Sequence, residues 1–185
     1  MHSFLKSLRR PVRLLPRFAR DRRGVSAVEF ALILPLMLVL YFGLVEVSQG
    51  VIVDRKVKLT ARTVADLVSQ VATIDNSGID AAIGASAAII APFSVANAKV
   101  IVSVVSIDSN GNAKVAWSRA NTGAGRSTGE NVSVPDALKT PNTSLVWGEA
   151  AYDYSPAVGY IVAGPLKLKD QIFMRPRLSE TVTKT

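Results

Sequence analysis

Apolar residues run along this chain in three different rhythms. From Phe30 to Val45 they are continuous, sixteen residues without a charge, and Glu29 stands just before them. At a 1.5 Å rise per residue that run makes about 24 Å of helix, slightly short of a hydrocarbon layer about 30 Å thick. Carrying the helix past Glu46, Ser48 and Gln49 to Val53 gives about 36 Å, which is adequate if Glu29 or Glu46 sits near an interface. Beyond Asp54 the apolar positions step by four and three, through Val57, Ala61, Val64, Val68 and Val71, while Arg55, Lys56, Lys58, Arg62 and Asp66 take the other faces. That period is helical. A single helix of about 45 residues, half in lipid and half a spine, therefore accounts for Val25 to about Ile74, with Asp75-Asn76-Ser77-Gly78 ending it.

Pro35 inside the apolar run removes one helical hydrogen bond and should kink the helix, which membrane helices tolerate when neighbours cover the gap. Gly43, Val47 and Gly50 fall on one face. They offer a groove for another helix or are ordinary small residues of a span.

The rhythm changes after residue 75. Asp80 to Ile90 reads as a weakly amphipathic, Ala-rich helix stopped at Pro92, with Ile83, Ala87 and Ile90 on one side. Lys99 to Ile107 is a β-branched run, Asn110-Gly111 is a hairpin turn, and Ala113 to Arg119 is the partner strand carrying Trp117. Asn121 to Asn131, with three Gly, reads as a mobile loop. A short helical turn at Val134 to Leu138 leads to a strand from Ser144 to Tyr154, a run at Tyr160 to Ala163, and a last strand from Gln171 to Met174 extending into Arg175-Pro176-Arg177. Helical runs followed by strand runs make an α+β fold, a long N-terminal helix packed on an antiparallel sheet of about four strands.

Charge changes the picture once it is divided along the chain. The net charge is +8, but residues 1 to 23 hold eight Lys and Arg against Asp21 alone, a net +7. The basicity belongs to a leader that holds its end of the span in the cytoplasm. A nucleic-acid partner loses its footing. The organisation expected is a basic leader over 1–24, a membrane helix over 25–53, a helical spine over 54–74 and a head over 75–185.

Catalytic equipment is scarce. There is no Cys, and the one His, His2, lies in the leader. Asp108-Ser109-Asn110-Gly111-Asn112 has too few oxygen ligands for an EF-hand, and Gly123 to Gly129 lacks the Gly-Lys-Ser or Gly-Lys-Thr of a phosphate cradle. Glu149 and Asp153 share a strand face and read as solvated, while Trp117, Trp147, Tyr152 and Tyr154 read as core or rim aromatics. No enzyme activity, cofactor, metal or small-molecule substrate is expected.

Glu29 is the functional suspect, because a carboxylate entering hydrocarbon is costly and needs a partner or a shallow position. It either pairs with a cation or snorkels to the headgroups beside Arg22 and Arg23. The N-terminus admits a secretory signal peptide with a poor cleavage site at Ser48-Gln49-Gly50, or an Arg-rich mitochondrial presequence interrupted by Pro11 and Pro16.

A third reading comes from resemblance. Gly24-Val25, Glu29 at the fifth place after the glycine, Phe30 next and a proline inside the following apolar run resemble the prepilin-type cleavage motif, in particular that of the TadE-like family of tight-adherence (Flp) pilus assembly proteins. Gly43 and Glu46 before the first polar turn fit the same pattern, and the likeness covers about Arg22 to Val71. The resemblance implies cleavage after Gly24 by a membrane aspartic prepilin peptidase, leaving Val25 as the new N-terminus. It also implies that Glu29 pairs with the N-terminal amine of a neighbouring subunit, with Phe30 beside it. A carboxylate and an ammonium in low dielectric attract strongly, while either alone is penalised.

The expected protein is thus a single-span minor pilin or pseudopilin of a tight-adherence pilus, serving cell adhesion. Its partners are the lipid bilayer, other pilin-like subunits, the assembly platform and the prepilin peptidase. It sits in the bacterial inner membrane with its N-terminus cytoplasmic and its head periplasmic, and incorporation into the fibre is left open. The alternatives are an unprocessed inner-membrane assembly factor or adaptor, and an enzyme tethered by a signal anchor.

Overall fold

The computed structural model describes residues 24–156 and 164–185. The leader through Arg23 and the run expected at Tyr160 to Ala163 lie outside the described residues. The chain divides into two compact units, 1–44 and 45–185.

Helix α1, Val25–Ser69, is 45 residues long and continues through Pro35. Its residues from Val25 to Val45 are all exposed, whereas Val53, Val57, Thr60, Ala61, Val64, Ala65, Val68 and Ser69 are buried. The stripe read from Val57, Ala61, Val64 and Val68 is the packing face, and Val71 at its end is partly buried.

In the second unit a four-stranded antiparallel sheet has the order β3-β2-β4-β5, from β2 (Ala98–Ile107), β3 (Ala113–Ala120), β4 (Ser144–Tyr154) and β5 (Leu166–Met174). One face receives the second half of α1 together with α2 (Asn76–Ile90): Val64, Ala65, Val68, Ile79, Ala82 and Ile83 meet Val100, Val102, Val104 and Val146. Nearer the middle of α1, Val53, Val57 and Ala61 pack with Ile90, Ala98, Ala150, Tyr152 and Tyr154. The opposite face is covered at one end by the β3–β4 connection, where Val134, Val132 and Leu138 lie over Val105, Ile107, Leu145 and Trp147. Two-sided burial explains why β2 reads as a nearly unbroken β-branched run and does not alternate.

A register shift between Val104 and Val105 pairs Val104 with Trp117 and Val105 with Val115, leaving Ala116 as the extra residue of a β-bulge. The bulge lets Trp117 join the cluster under the helices while Ala113 joins the one on the other face. Trp117 Nε1 donates to the Val182 carbonyl at 2.9 Å, and the tail ends in β6 (Thr183–Lys184), parallel to β1 (Thr73–Ile74).

That tail corrects the expected end of the first helix. Ser69 Oγ donates to the Asp66 carbonyl, and the Ser69 carbonyl accepts from Arg177 N, so the last turn is satisfied locally and by the tail. Thr183 and Thr185 then donate to Ala72 and Ile74, drawing the β-branched residues after Ser69 into a strand. Asp75 does not end a helix but starts one. Its carboxylate accepts from Gly78 N at 2.8 Å and from Ser77 Oγ at 2.7 Å, capping α2 four residues before the expected start at Asp80. On α2, Ile79, Ala82, Ile83, Ser86 and Ile90 are buried and Ala87 is exposed. β5 begins at Leu166, earlier than the expected Gln171, because Leu168 and Ile172 pack on the helix side while Lys167 and Lys169 face outward; the alternation is amphipathic though none of Leu166 to Gln171 is β-branched. The glycine-rich loop expected to be mobile is tied down: Gly129 N donates to Val115 O, and Arg126 bridges Glu149 and Glu130.

Candidate assembly and processing site

The first half of α1 carries the residues singled out at the sequence level. Every side chain from Val25 to Val45 is exposed, including Phe30 at 59% and Leu36 at 61%. An apolar surface on all sides of a helix, with no packing partner of its own, is a surface for lipid or for other helices. Among the described residues this is the one helix long and apolar enough to cross a membrane.

Glu29 stands four residues after Val25, on the same side of the helix and about 6 Å along its axis. No described residue pairs with it. Gly24 lies just before the helix, and a Cβ placed there meets nothing within 4 Å. Its φ is not left-handed either, so the fold has no need of glycine at this position.

The three residues of the expected packing groove are not equivalent. A Cβ at Gly43 meets nothing within 4 Å and Val47 is 66% exposed, but a Cβ at Gly50 lies 3.8 Å from the Tyr154 ring. Gly50 is therefore covered by the chain's own head, and only the Gly43 end of that face is open.

Tyr154 is more than a core or rim aromatic, since it ties the head to α1. Its hydroxyl donates to the Glu46 carbonyl at the long distance of 3.5 Å, and burial, with the Glu46 charge second, holds its phenol above the ordinary value. Alternation along β4 was the available signal, since it places Tyr154 on the helix face with Tyr152 and Ala150.

The model of the TadE-like protein family matches residues 24–66. This stretch is similar to TadE-like proteins. The match starts at Gly24 and ends at Asp66 inside α1, so it takes in both the exposed and the buried half of the helix, and the sheet lies beyond it. No curated protein and no solved structure matches the chain. The likeness of this segment is to proteins whose family name points to assembly of a tight-adherence pilus, and the segment contains the one helix among the described residues long and apolar enough to cross a membrane.

Among the described residues of the head, the acids and aromatics singled out in the sequence have partners or are buried. Arg126 lies 4.7 Å over the Trp147 ring and donates to Glu149 at 2.7 and 3.1 Å, so Glu149 is neutralised by a neighbour. Asp153 faces Lys167 at 3.8 Å with both side chains exposed. Trp117, Trp147, Tyr152 and Tyr154 are all buried in the core.

Proposed function

We propose that this chain is a minor pilin or pseudopilin of a tight-adherence pilus, a non-enzymatic subunit that assembles through the first half of α1 after prepilin peptidase removes the leader. The single observation that carries this reading is the contrast within α1. The same helix is buried against the sheet from Val53 onward and exposed on every side before Glu46, with one acid, Glu29, at the start of the exposed part. Such a surface demands neighbours, and an unpaired carboxylate at the lipid boundary demands a cation. Cleavage after Gly24 creates one, the amine of Val25, on each adjacent subunit.

The lack of any steric or conformational need for Gly24 supports the same reading, since a glycine unused by the fold is open to recognition by a peptidase. The N-terminus then lies in the cytoplasm of a bacterial inner-membrane protein and the head in the periplasm, in keeping with the basic leader.

Mass spectrometry of the native protein's N-terminus tests the proposal. Val25 is the expected first residue. Met1 or His2 would overturn processing and leave an uncleaved inner-membrane adaptor. Gly24→Leu should block processing without unfolding the head, and Glu29→Gln should insert and fold normally but assemble poorly. Normal pili in the Glu29→Gln strain would return Glu29 to the headgroups as a snorkelling residue.

A further inference from the structure

Two large apolar side chains of the head, Val95 at 37% and Leu166 at 45%, are exposed at the same end of the sheet. Leu166 pairs with Tyr154, and Val95 lies just before β2, whose Ala98 pairs with Tyr152. Tyr154 in turn reaches α1 at the Glu46 carbonyl and packs near Gly50. Glu46 follows directly on the last residue of the uncharged run. This end of the head is therefore level with the place where the apolar run stops. The run supplies about 24 Å of a layer about 30 Å thick, so the level of Glu46 to Gly50 falls within the membrane interface. Whatever is packed there falls within it too.

The charges around this end are suited to lipid phosphates. Across the outer sheet face, Lys99 pairs with Ala151 and Ala151 with Lys169, so two lysines flank a small residue. Neither forms an ion pair among the described residues. Of the acids nearby, Asp153 answers Lys167, Asp54 is held by Lys58, Glu149 is held by Arg126, and Asp170 beside Lys169 adds its charge to the field at Lys58, while Glu46 stands at the same level on α1. A lysine stem lies along apolar surface while its ammonium reaches a phosphate, and tyrosines favour the same layer.

We propose that this end of the head is a second membrane contact, with Val95 and Leu166 in the interfacial layer and Lys99 and Lys169 on anionic headgroups. The proposal rests on the reading of α1 as a membrane span. Lysines on β5 also guard an edge strand against pairing with other chains. That role gives no reason for Val95 and Leu166 to be bare at the same end, beside the exit of the apolar run.

The absence of cysteine permits clean single-site labelling of the full chain. Leu166→Cys, Asn110→Cys in the hairpin at the far end of the sheet, and Leu38→Cys in the apolar run would each carry an environment-sensitive fluorophore in phosphatidylcholine–phosphatidylglycerol vesicles. A nitroxide-bearing lipid should quench position 166 several-fold more than position 110, and aqueous iodide should do the reverse. Lipid quenching at position 38 with position 166 as water-accessible as position 110 would overturn the second contact and leave the span standing. Absence of lipid quenching at position 38 would overturn the span itself. Lys99→Glu with Lys169→Glu should lower lipid quenching at position 166, and so should native lysines on purely zwitterionic vesicles, which keeps the charge test valid should the double variant fail to fold. No change in either arrangement would overturn the headgroup role of the lysines.

Discussion

The two halves of α1 share one helix and differ in almost everything that matters to it. Before Val45 the side chains are mostly large, Leu, Ile, Phe and Met, and they are exposed whichever way they point. From Val53 onward the buried positions are Val, Ala, Thr and Ser at helical spacing, with charges between them. Apolar content alone does not tell a helix to bury itself in protein. Small size at regular intervals does, because it lets a helix backbone approach a sheet. At Gly148 in β4 a Cβ would stand 2.4 Å from the Ala61 carbonyl and 2.9 Å from Ala65 Cβ, so the second half of α1 lies directly on bare strand backbone. Lipid sets no such condition. It asks for a continuous run of bulk, which the first half supplies.

The sharpest way to break this comparison is to put the same methyl groups on a glycine in each half's surroundings. Gly148→Val forces α1 off β4 against a carbonyl that has no rotamer to escape into, and should cost about 3 kcal/mol, the upper part of the usual overpacking range. Gly43→Val meets nothing and should leave denaturant unfolding of the detergent-solubilised protein within about 0.5 kcal/mol of the parent. Equal losses from the two would mean that the halves are not distinguished by packing. In the pilus assembly assay the order should invert, with Gly43→Val showing a defect if that open face receives a neighbouring helix.

Removing bulk gives a smaller contrast of the same kind. Val64→Ala, at a fully buried site, should cost about 2 kcal/mol from lost transfer energy and the cavity left behind. Leu36→Ala removes more atoms from a residue 61% exposed and should scarcely move the head's unfolding midpoint. The tail that holds the end of the buried half can be probed through Trp117→Phe. This variant keeps an aromatic ring in the cluster but leaves the Val182 carbonyl without its donor, at about 1 to 2 kcal/mol. Amide exchange at Thr183 should quicken, since β6 loses one of its ties.

Much of this contrast is legible in the sequence, and the reasons for the rest are physical. The continuous run and the Val57–Val68 stripe announce the two halves because lipid and protein impose different periods on the same helix. The hairpin at Asn110-Gly111 is local too: Gly111 has φ 82°, and Asp108 accepts from the Asn110 and Asn112 amides. What escaped depends on partners distant in sequence. The end of α1 at Ser69 is decided by Arg177 and β6, more than a hundred residues on, so Val71 to Ile74 looked like further helix. Asp75 fits a stop as well as a start, because an Asx residue marks either boundary; only the placement of the chain after it distinguishes them. At the candidate site, Gly24, Val25, Glu29 and Phe30 stood out from their motif, but Gly50 looked equivalent to Gly43 until Tyr154 covered it. The early start of β5 was hidden because Leu and Lys are weak strand formers.

The smallest separation of the two halves comes from acid. The first turn of α1 contains no carboxylate, whereas α2, which covers the buried half, is capped by Asp75. The Ser77 hydroxyl first, and the Gly78 amide second, hold the Asp75 carboxyl below its ordinary value of 3.8. Because the folded pKa lies below the unfolded one, the stabilisation is complete above the unfolded value and is lost as pH falls through the folded one. Asp80, held down by Arg119, and Asp108, held down by Asn112, lose theirs in the same direction. The head should therefore weaken below about pH 4, followed by Trp fluorescence in denaturant, while helicity of the detergent-embedded half persists. Asp75→Asn separates the contributions. Asparagine still accepts the Gly78 N–H as an N-cap but does not titrate, so the variant should match the parent near neutrality and lose less stability on acidification. An unchanged acid slope would assign the loss to the other carboxylates and remove the cap from the account.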